Sequence, residues 1–255
     1  MTLPNLKRIH SVTDDYIPKN GMLAWYDTTE AAYMTLAGTA ITRLIDRSGS
    51  GNHSDVQATA TARPTWTSNQ INGLPCAVFD GTTDSITCPD AVRDAVAIGT
   101  DHSIFFAYKA TGITGSGASG HALFSSALGV SDRSGLQITE NGGIPADICA
   151  SYYNGASFSS NSALASTNAA IVAVTHAASA TPVLYLNNVV GANANDASLN
   201  GNTIFRIGAD GTDGADRFFD GAIAEIIIYS RVLTVAEVIL INRYLSRKYG
   251  IGISI

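Results

Sequence analysis

The sequence predicts an all-β protein: one antiparallel β-sandwich (jelly roll) with a single C-terminal α-helix packed on it. Three observations predict it. Short segments with strand patterning recur along the chain between glycine, asparagine and aspartate turns. The stretch Phe218 to Gly250 reads as a strand followed by a capped helix. No composition break or internal repeat interrupts the run from Gly21 to Ile255, which points to one domain rather than several.

Residues 1–20 are polar and mixed, with Pro4, Pro18 and the pair Asp14-Asp15, and follow neither a period of 2 nor one of 3.6. They read as an extended arm outside a domain spanning 21–255. Gly21-Met-Leu-Ala-Trp-Tyr-Asp27 is the first strand, and Thr28 to Leu44 reads as turns and a short strand. Asp46-Arg-Ser-Gly-Ser-Gly-Asn-His53 is a glycine-rich turn in which the Asp46 carboxylate can cap the loop's N–H groups. Cys76 to Gly81 and Asp84 to Cys88 follow as strands, then the apolar run Asp101 to Ala110 and a glycine-serine loop from Thr111 to Gly120. Further strands are expected at 122–128, 135–139, 147–153, 169–176 and 202–209, with a hairpin over 183–190 turning at Asn187-Asn188.

The isoleucine-rich segment Ala222 to Tyr229 suits a strand buried on both faces. Thr234-Val-Ala-Glu237 is a capping box, so a helix starts near Val235. Val238, Ile241 and Leu245 form its apolar stripe, with Leu240 and Tyr244 beside it. Arg243, Arg247 and Lys248 complement the helix dipole, and Gly250 can adopt the left-handed conformation that ends the helix.

These pieces together carry a resemblance. The opening G-x-L-A-W-Y-D at Gly21, D-x-S-G-x-G-N-H at Asp46, and the closing G-x-I-A-E-I-I-I-Y, R-x-L-T-x-x-E and Y-L-x-x-K-Y-G from Gly221 to Gly250 resemble a concanavalin A-like (laminin-G-like) β-sandwich domain. The resemblance runs from about Gly21 to Ile251. Such domains occur in secreted bacterial proteins and phage virion proteins, and one fold of this kind hosts many functions.

Bulk properties narrow the class. The net charge of −6 and pI near 5.2 exclude a nonspecific nucleic-acid binder. The 3 cysteines, Cys76, Cys88 and Cys149, cannot all pair within one chain and read as small buried hydrophobes of a reducing compartment, with a Cys76–Cys88 bridge open as an alternative. The N-terminus carries no apolar signal region, and no stretch is apolar and long enough to span a membrane. Synthesis in a host cytoplasm and incorporation into a virion is the expected route, with a cytoplasmic or non-classically exported protein as the alternative.

Candidate sites are few. Gly115-Ser-Gly117-Ala-Ser-Gly120 matches a dinucleotide fingerprint but lies between strands, so no helix N-terminus receives a pyrophosphate. Glycosidases need two carboxylates at a set separation, whereas Glu225 stands alone on an apolar strand and is expected to pair with Arg206 or Arg243. No nucleophile elbow or metal-binding histidine spacing is present, so no catalytic residue and no resident cofactor are expected. Asp210, Asp213 and Asp216 on a glycine turn are the best calcium candidates, with a solvated turn as the alternative. Trp66 and the run Tyr152-Tyr153-Asn154 are candidates for a carbohydrate platform.

The expected function is a non-enzymatic structural or adhesive virion protein, a capsid decoration or tail component, touching host or surface glycans. Its expected partners are other virion chains, or a second copy, contacted through the N-terminal arm, with no nucleic acid and no membrane span. The alternative is a bacterial polysaccharide-binding module or polysaccharide-degrading enzyme.

Overall fold

The computed structural model describes residues 17–96, 100–111, 121–127, 133–140, 148–154, 158–160, 168–178, 180, 182–191, 204–209 and 218–254; at 121, 126–127, 133–140, 148–154 and 158–160 the description is of the backbone. In chain order the elements are β1 (Met22–Asp27), β2 (Met34–Ala37), β3 (Ala40–Leu44), β4 (Thr65–Ile71), β5 (Leu74–Asp80), β6 (Ile86–Thr87), the helix α1 (Asp90–Ala95), β7 (His102–Ala110), β8 (His121–Ala127), β9 (Arg133–Glu140), β10 (Ile148–Asn154), β11 (Phe158–Ser160), β12 (Ala170–His176), β13 (Val183–Leu186), β14 (Val189–Val190), β15 (Ile204–Ile207), β16 (Asp220–Tyr229) and the helix α2 (Val235–Tyr249).

All described strand pairs are antiparallel and form two sheets. The larger has the order β14-β13-β12-β7-β16-β5-β4-β3-β2, with β1 also paired to β16. The smaller has the order β11-β10-β9-β8-β15-β6. Between the sheets lies one apolar cluster that includes Tyr26, Phe79, Phe106, Phe124, Phe205 and Ile226. On the outer face of the larger sheet α2 seals a second cluster, with Trp25, Phe105, Ile227, Ile241 and Leu245 among its members. Strands β7, β12 and β16 are therefore covered on both sides, which is why they read as continuous apolar runs.

The helix forms as its sequence dictates. The Thr234 hydroxyl accepts from the Glu237 N–H and the Glu237 carboxylate accepts from the Thr234 N–H, while Gly250 closes the other end at φ 64°. Its inward face carries Val238, Ile241, Asn242, Tyr244, Leu245 and Tyr249. Leu240, placed beside the stripe from sequence, is instead 39% exposed, and Asn242 takes an inward position with its amide donating to Asn188.

Four elements go beyond the sequence reading. Thr65–Ile71 and Phe158–Ser160 are strands, Thr28 to Leu44 contains a full β2–β3 hairpin, and α1 is a second, short helix. In α1, Arg93 pairs with Asp90 one turn before it. The two Phe-Asp-Gly junctions meet across the sheet, Asp80 opposite Asp220 and Phe79 opposite Gly221. A Cβ on Gly221, at φ 149°, would lie 2.3 Å from the Lys109 carbonyl oxygen, so only glycine fits there.

The arm expected over residues 1–20 is described from Ile17 onward. Ile17 is buried in the outer cluster, Tyr229 donates its hydroxyl to the Pro18 carbonyl, and Arg231 donates to the Asn20 carbonyl. Cys76 and Cys88 are both free thiols. Cys76 belongs to the outer cluster and Cys88 to the inner, so the sheet separates them and the alternative of a bridge is excluded.

A buried charged site under the C-terminal helix

Alternation along β16 breaks at one point. Ile223 faces the inner cluster, Ala224 the outer, and Ile226 the inner again, with a register shift against β7 between Ile223 and Glu225. Such a bulge re-aims a side chain. Here it turns Glu225 outward, away from the core between the sheets and under α2. On β1, Asp27 is directly opposite Glu225.

Neither carboxylate is solvent-accessible at its side chain. Glu225 Oε1 accepts from Trp25 Nε1 at 2.5 Å and from the Tyr244 hydroxyl at 2.9 Å. Its Oε2 accepts from the Tyr249 hydroxyl at 2.5 Å and from Lys248 Nζ at 2.7 Å. The same Lys248 nitrogen lies 2.7 Å from Asp27 Oδ2, which also accepts from Arg47 at 2.6 Å. Asp27 Oδ1 accepts from the Thr29 N–H at 3.0 Å and the Thr29 hydroxyl at 2.6 Å. Two carboxylates and two cations thus balance one another in a largely buried pocket, as buried charge requires. The predicted Arg206 or Arg243 partner of Glu225 is corrected to Lys248. Arg206 sits on β15 of the other sheet, whereas Lys248 is placed one turn after Tyr244 on the face of α2 that meets the bulge.

Burial pushes the Glu225 carboxyl above its ordinary value, and neighbouring Asp27 adds to this against the pull of Lys248. Burial would also raise Asp27, but Lys248 and the Thr29 donors outweigh it and hold that carboxyl below the usual range. Burial would lower Lys248, and the two carboxylates reverse this and raise it. At the rim, the Arg47 guanidinium stacks 4.1 Å from the centre of the Trp25 ring and 4.4 Å from that of Tyr33, and Lys19 lies 4.2 Å over Trp25.

The other predicted residues are placed as follows. Asp46 accepts from the N–H groups of Trp25, Ser48 and Asn52, binding the glycine-rich turn to β1. Trp66 is half-buried against the inner cluster and donates its indole N–H to the Thr28 carbonyl. Tyr152, Tyr153 and Asn154 lie on β10 of the smaller sheet. Asp210, Asp213 and Asp216 lie outside the described residues, within which no group of three His, Cys, Asp or Glu side chains is placed to hold a metal ion.

One cluster has no signal in the linear sequence. His102 and His176 sit opposite each other on β7 and β12, both buried, with ring centres 4.9 Å apart. His102 Nδ1 lies 3.2 Å from the Thr100 carbonyl oxygen, and burial, then His176, lowers its pKa to about 3.

Two antiparallel sheets with an outer helix define an all-β sandwich, and Lys248 of that helix bridges the first strand and the last through buried charge. The family model of the concanavalin A-like lectin/glucanases superfamily matches residues 80–239, more than half of the chain, and the protein belongs to that family. No curated protein matches the sequence. Among solved structures the chain is similar to Trypanosoma rangeli sialidase, at 14% identity and a TM-score of 0.59 over 91% of this chain and 33% of the sialidase. It is also similar to domain 4 of AbnA, a GH43 extracellular arabinanase from Geobacillus stearothermophilus, at 17% identity and a TM-score of 0.52 over 85% of this chain and 96% of that domain. The botulinum neurotoxin serotype D binding domain aligns at 13% identity and a TM-score of 0.56 over 88% of this chain and 51% of that one. The chain thus spans about a third of the length of the sialidase it resembles, and at these identities the likeness is one of fold.

Proposed function

We propose that this chain is a non-enzymatic glycan-recognition module. The observation that carries the reading is the commitment of Asp27 and Glu225. A glycosidase needs two carboxylates open to substrate and set apart across the glycosidic bond. Here the two carboxylates share one ammonium under α2 and reach no solvent. Membership of a lectin/glucanase superfamily supports glycan as the ligand class, as does the fold shared with an arabinanase domain whose structure holds arabinotriose. A glycan array probed with the purified chain tests this: selective binding is expected, and a blank array overturns it. Release of reducing ends from a polysaccharide panel by the chain alone would overturn the non-enzymatic half.

We further propose that the module is displayed on a virion as a decoration or tail component. The resemblance to phage virion domains and the free buried thiols of Cys76 and Cys88, which suit folding in a reducing cytoplasm, support this placement. Mass spectrometry of purified particles is expected to detect the chain at fixed stoichiometry, and its absence from particles overturns the placement. Glycan recognition is expected not to need calcium. Addition of millimolar calcium should leave the melting temperature unchanged, because a bound ion stabilises by RT ln(1 + [L]/Kd). A rise that is lost in Asp213→Ala would instead assign a metal site to the Asp210, Asp213 and Asp216 turn.

A further inference from the structure

We propose that Lys248 and Asp27 form an intramolecular amide bond, with Glu225 as the general base, covalently closing the first strand onto the last helix. The reacting atoms are already in place. Lys248 Nζ is 2.7 Å from Asp27 Oδ2 and 2.7 Å from Glu225 Oε2, and both carboxylates are fully buried at their side chains. Lys248 is held on α2, while Asp27 and Glu225 are cross-strand neighbours on β1 and β16. Fixing an amine and a carboxyl group on such a scaffold replaces a bimolecular encounter by an intramolecular one, with effective molarities on the order of 10⁵ M or more.

Each side chain around the pair has a part in the condensation. The ground state is the ionised pair. One proton of the Lys248 ammonium crosses the 2.7 Å contact to Asp27 Oδ2, and the neutral amine attacks Cγ of the resulting neutral carboxyl while Glu225 Oε2 takes a second proton from the nitrogen. Negative charge then develops on Asp27 Oδ1, which already accepts from the Thr29 N–H and hydroxyl, and these act as the oxyanion donors. Asp27 Oδ2, polarised by Arg47, departs as water. It leaves with the proton it already carries and the one that Glu225 returns. The C–O bond to Oδ2 breaks, the Nζ–Cγ bond forms, and one water leaves for each bond made, with no oxidant or other reagent.

Charge remains balanced throughout. Before reaction the site holds two carboxylates and two cations; afterwards a neutral amide stands beside Glu225 and Arg47, one of each sign. Trp25, Tyr244 and Tyr249 keep Glu225 fixed in both states through hydrogen bonds the reaction does not consume. The raised pKa of Glu225, set by burial and then by its charged neighbours, suits a group that must accept and return a proton.

The test is mass spectrometry of the denatured full chain. The wild type is expected to weigh one water less than its sequence. Its tryptic digest should contain a branched peptide joining residues 20–43 to the segment that begins at Lys248, because acylated lysine resists cleavage. Lys248→Arg, which keeps the positive charge, should have the full mass and lack that peptide. Glu225→Gln should show little or none of it. A wild-type digest with unbranched Asp27 and Lys248 peptides overturns the proposal and leaves the site an ion pair only. A water loss mapped to an Asp-Gly succinimide overturns it equally. A branched peptide at full yield in Glu225→Gln would overturn the role of Glu225.

Discussion

At the scale of single residues, charge inside this sandwich sets its response to pH. Removing Lys248 from the buried cluster leaves Glu225 without a cation, facing Asp27, which keeps only Arg47. Lys248→Met should therefore lose about 3–5 kcal/mol at neutral pH, the cost of breaking a buried pair. Glu225, buried beside Asp27 and deprived of its ammonium, is raised further, so the variant's stability should be present at low pH and fall as pH rises through that carboxyl's pKa. Chemical denaturation from pH 4 to 8 checks this; a variant as stable as wild type at every pH would contradict it. The histidine pair works in the other direction. His102 has a folded pKa of about 3 against an ordinary 6.5, so below about 6.5 the unfolded chain binds a proton that the folded chain refuses. Stability should fall as pH drops from 6.5 toward 3, by about 1.4 kcal/mol per pH unit for each such proton. His102→Gln should flatten that limb of a melting-temperature profile, and an unchanged slope would show that the proton uptake lies elsewhere.

At the scale of elements, α2 is the part most legible in the sequence and the easiest to test. Leu245 is fully buried under it, and Leu245→Ala should cost about 2–5 kcal/mol by chemical denaturation. Thr234→Ala removes only the cap and should cost about 1 kcal/mol. Equal losses from the two would mean that packing contributes no more than capping. The cap, the apolar stripe and Gly250 could be read directly because their partners lie within one or two helical turns. Leu240 could not be placed, because tertiary contacts such as that of Asn242 with Asn188 and those of Tyr244, Lys248 and Tyr249 with Glu225 fix how far the helix rolls onto the sheet. The strands were legible where one or both faces are apolar, as in β7, β12 and β16. Strand β4 was not, because residues 65–70 are polar apart from Trp66 and none of them is fully buried. The charged site was half legible: Glu225 stood out as a carboxylate on an apolar strand, but its partners depend on the pairing of β1 with β16 and on a bulge. Lys248 read only as a dipole-complementing cation because nothing local marks its turn of helix as inward-facing.

At the scale of the whole molecule, the start of the described chain and three strands meet at β16. Ile17 is buried beside it, and β1 and β5 share one of its edges while β7 takes the other. Deleting residues 1–16 should leave a cooperatively melting domain of nearly wild-type stability. Deleting 1–18 removes Ile17 and the carbonyl that accepts from Tyr229, and should lower stability by about 1.5–3 kcal/mol, the worth of one buried aliphatic side chain. Thermal melts of the two truncations separate these outcomes, and identical melting temperatures would show that Ile17 is a bystander. The position of β16 also governs the order in which the domain can be made. A ribosome delivers β1, β5 and β7 long before the strand that joins them, so their inner edges wait unpaired until residues 220–229 emerge. At about 5–20 residues per second the delay between finishing β7 and finishing β16 is on the order of ten seconds. During that interval the growing chain carries open strand edges of the kind that pair with other chains. Co-translational folding of the larger sheet is therefore deferred until β16 has been made, and any cell that makes this protein in quantity must shield the nascent chain until that strand arrives.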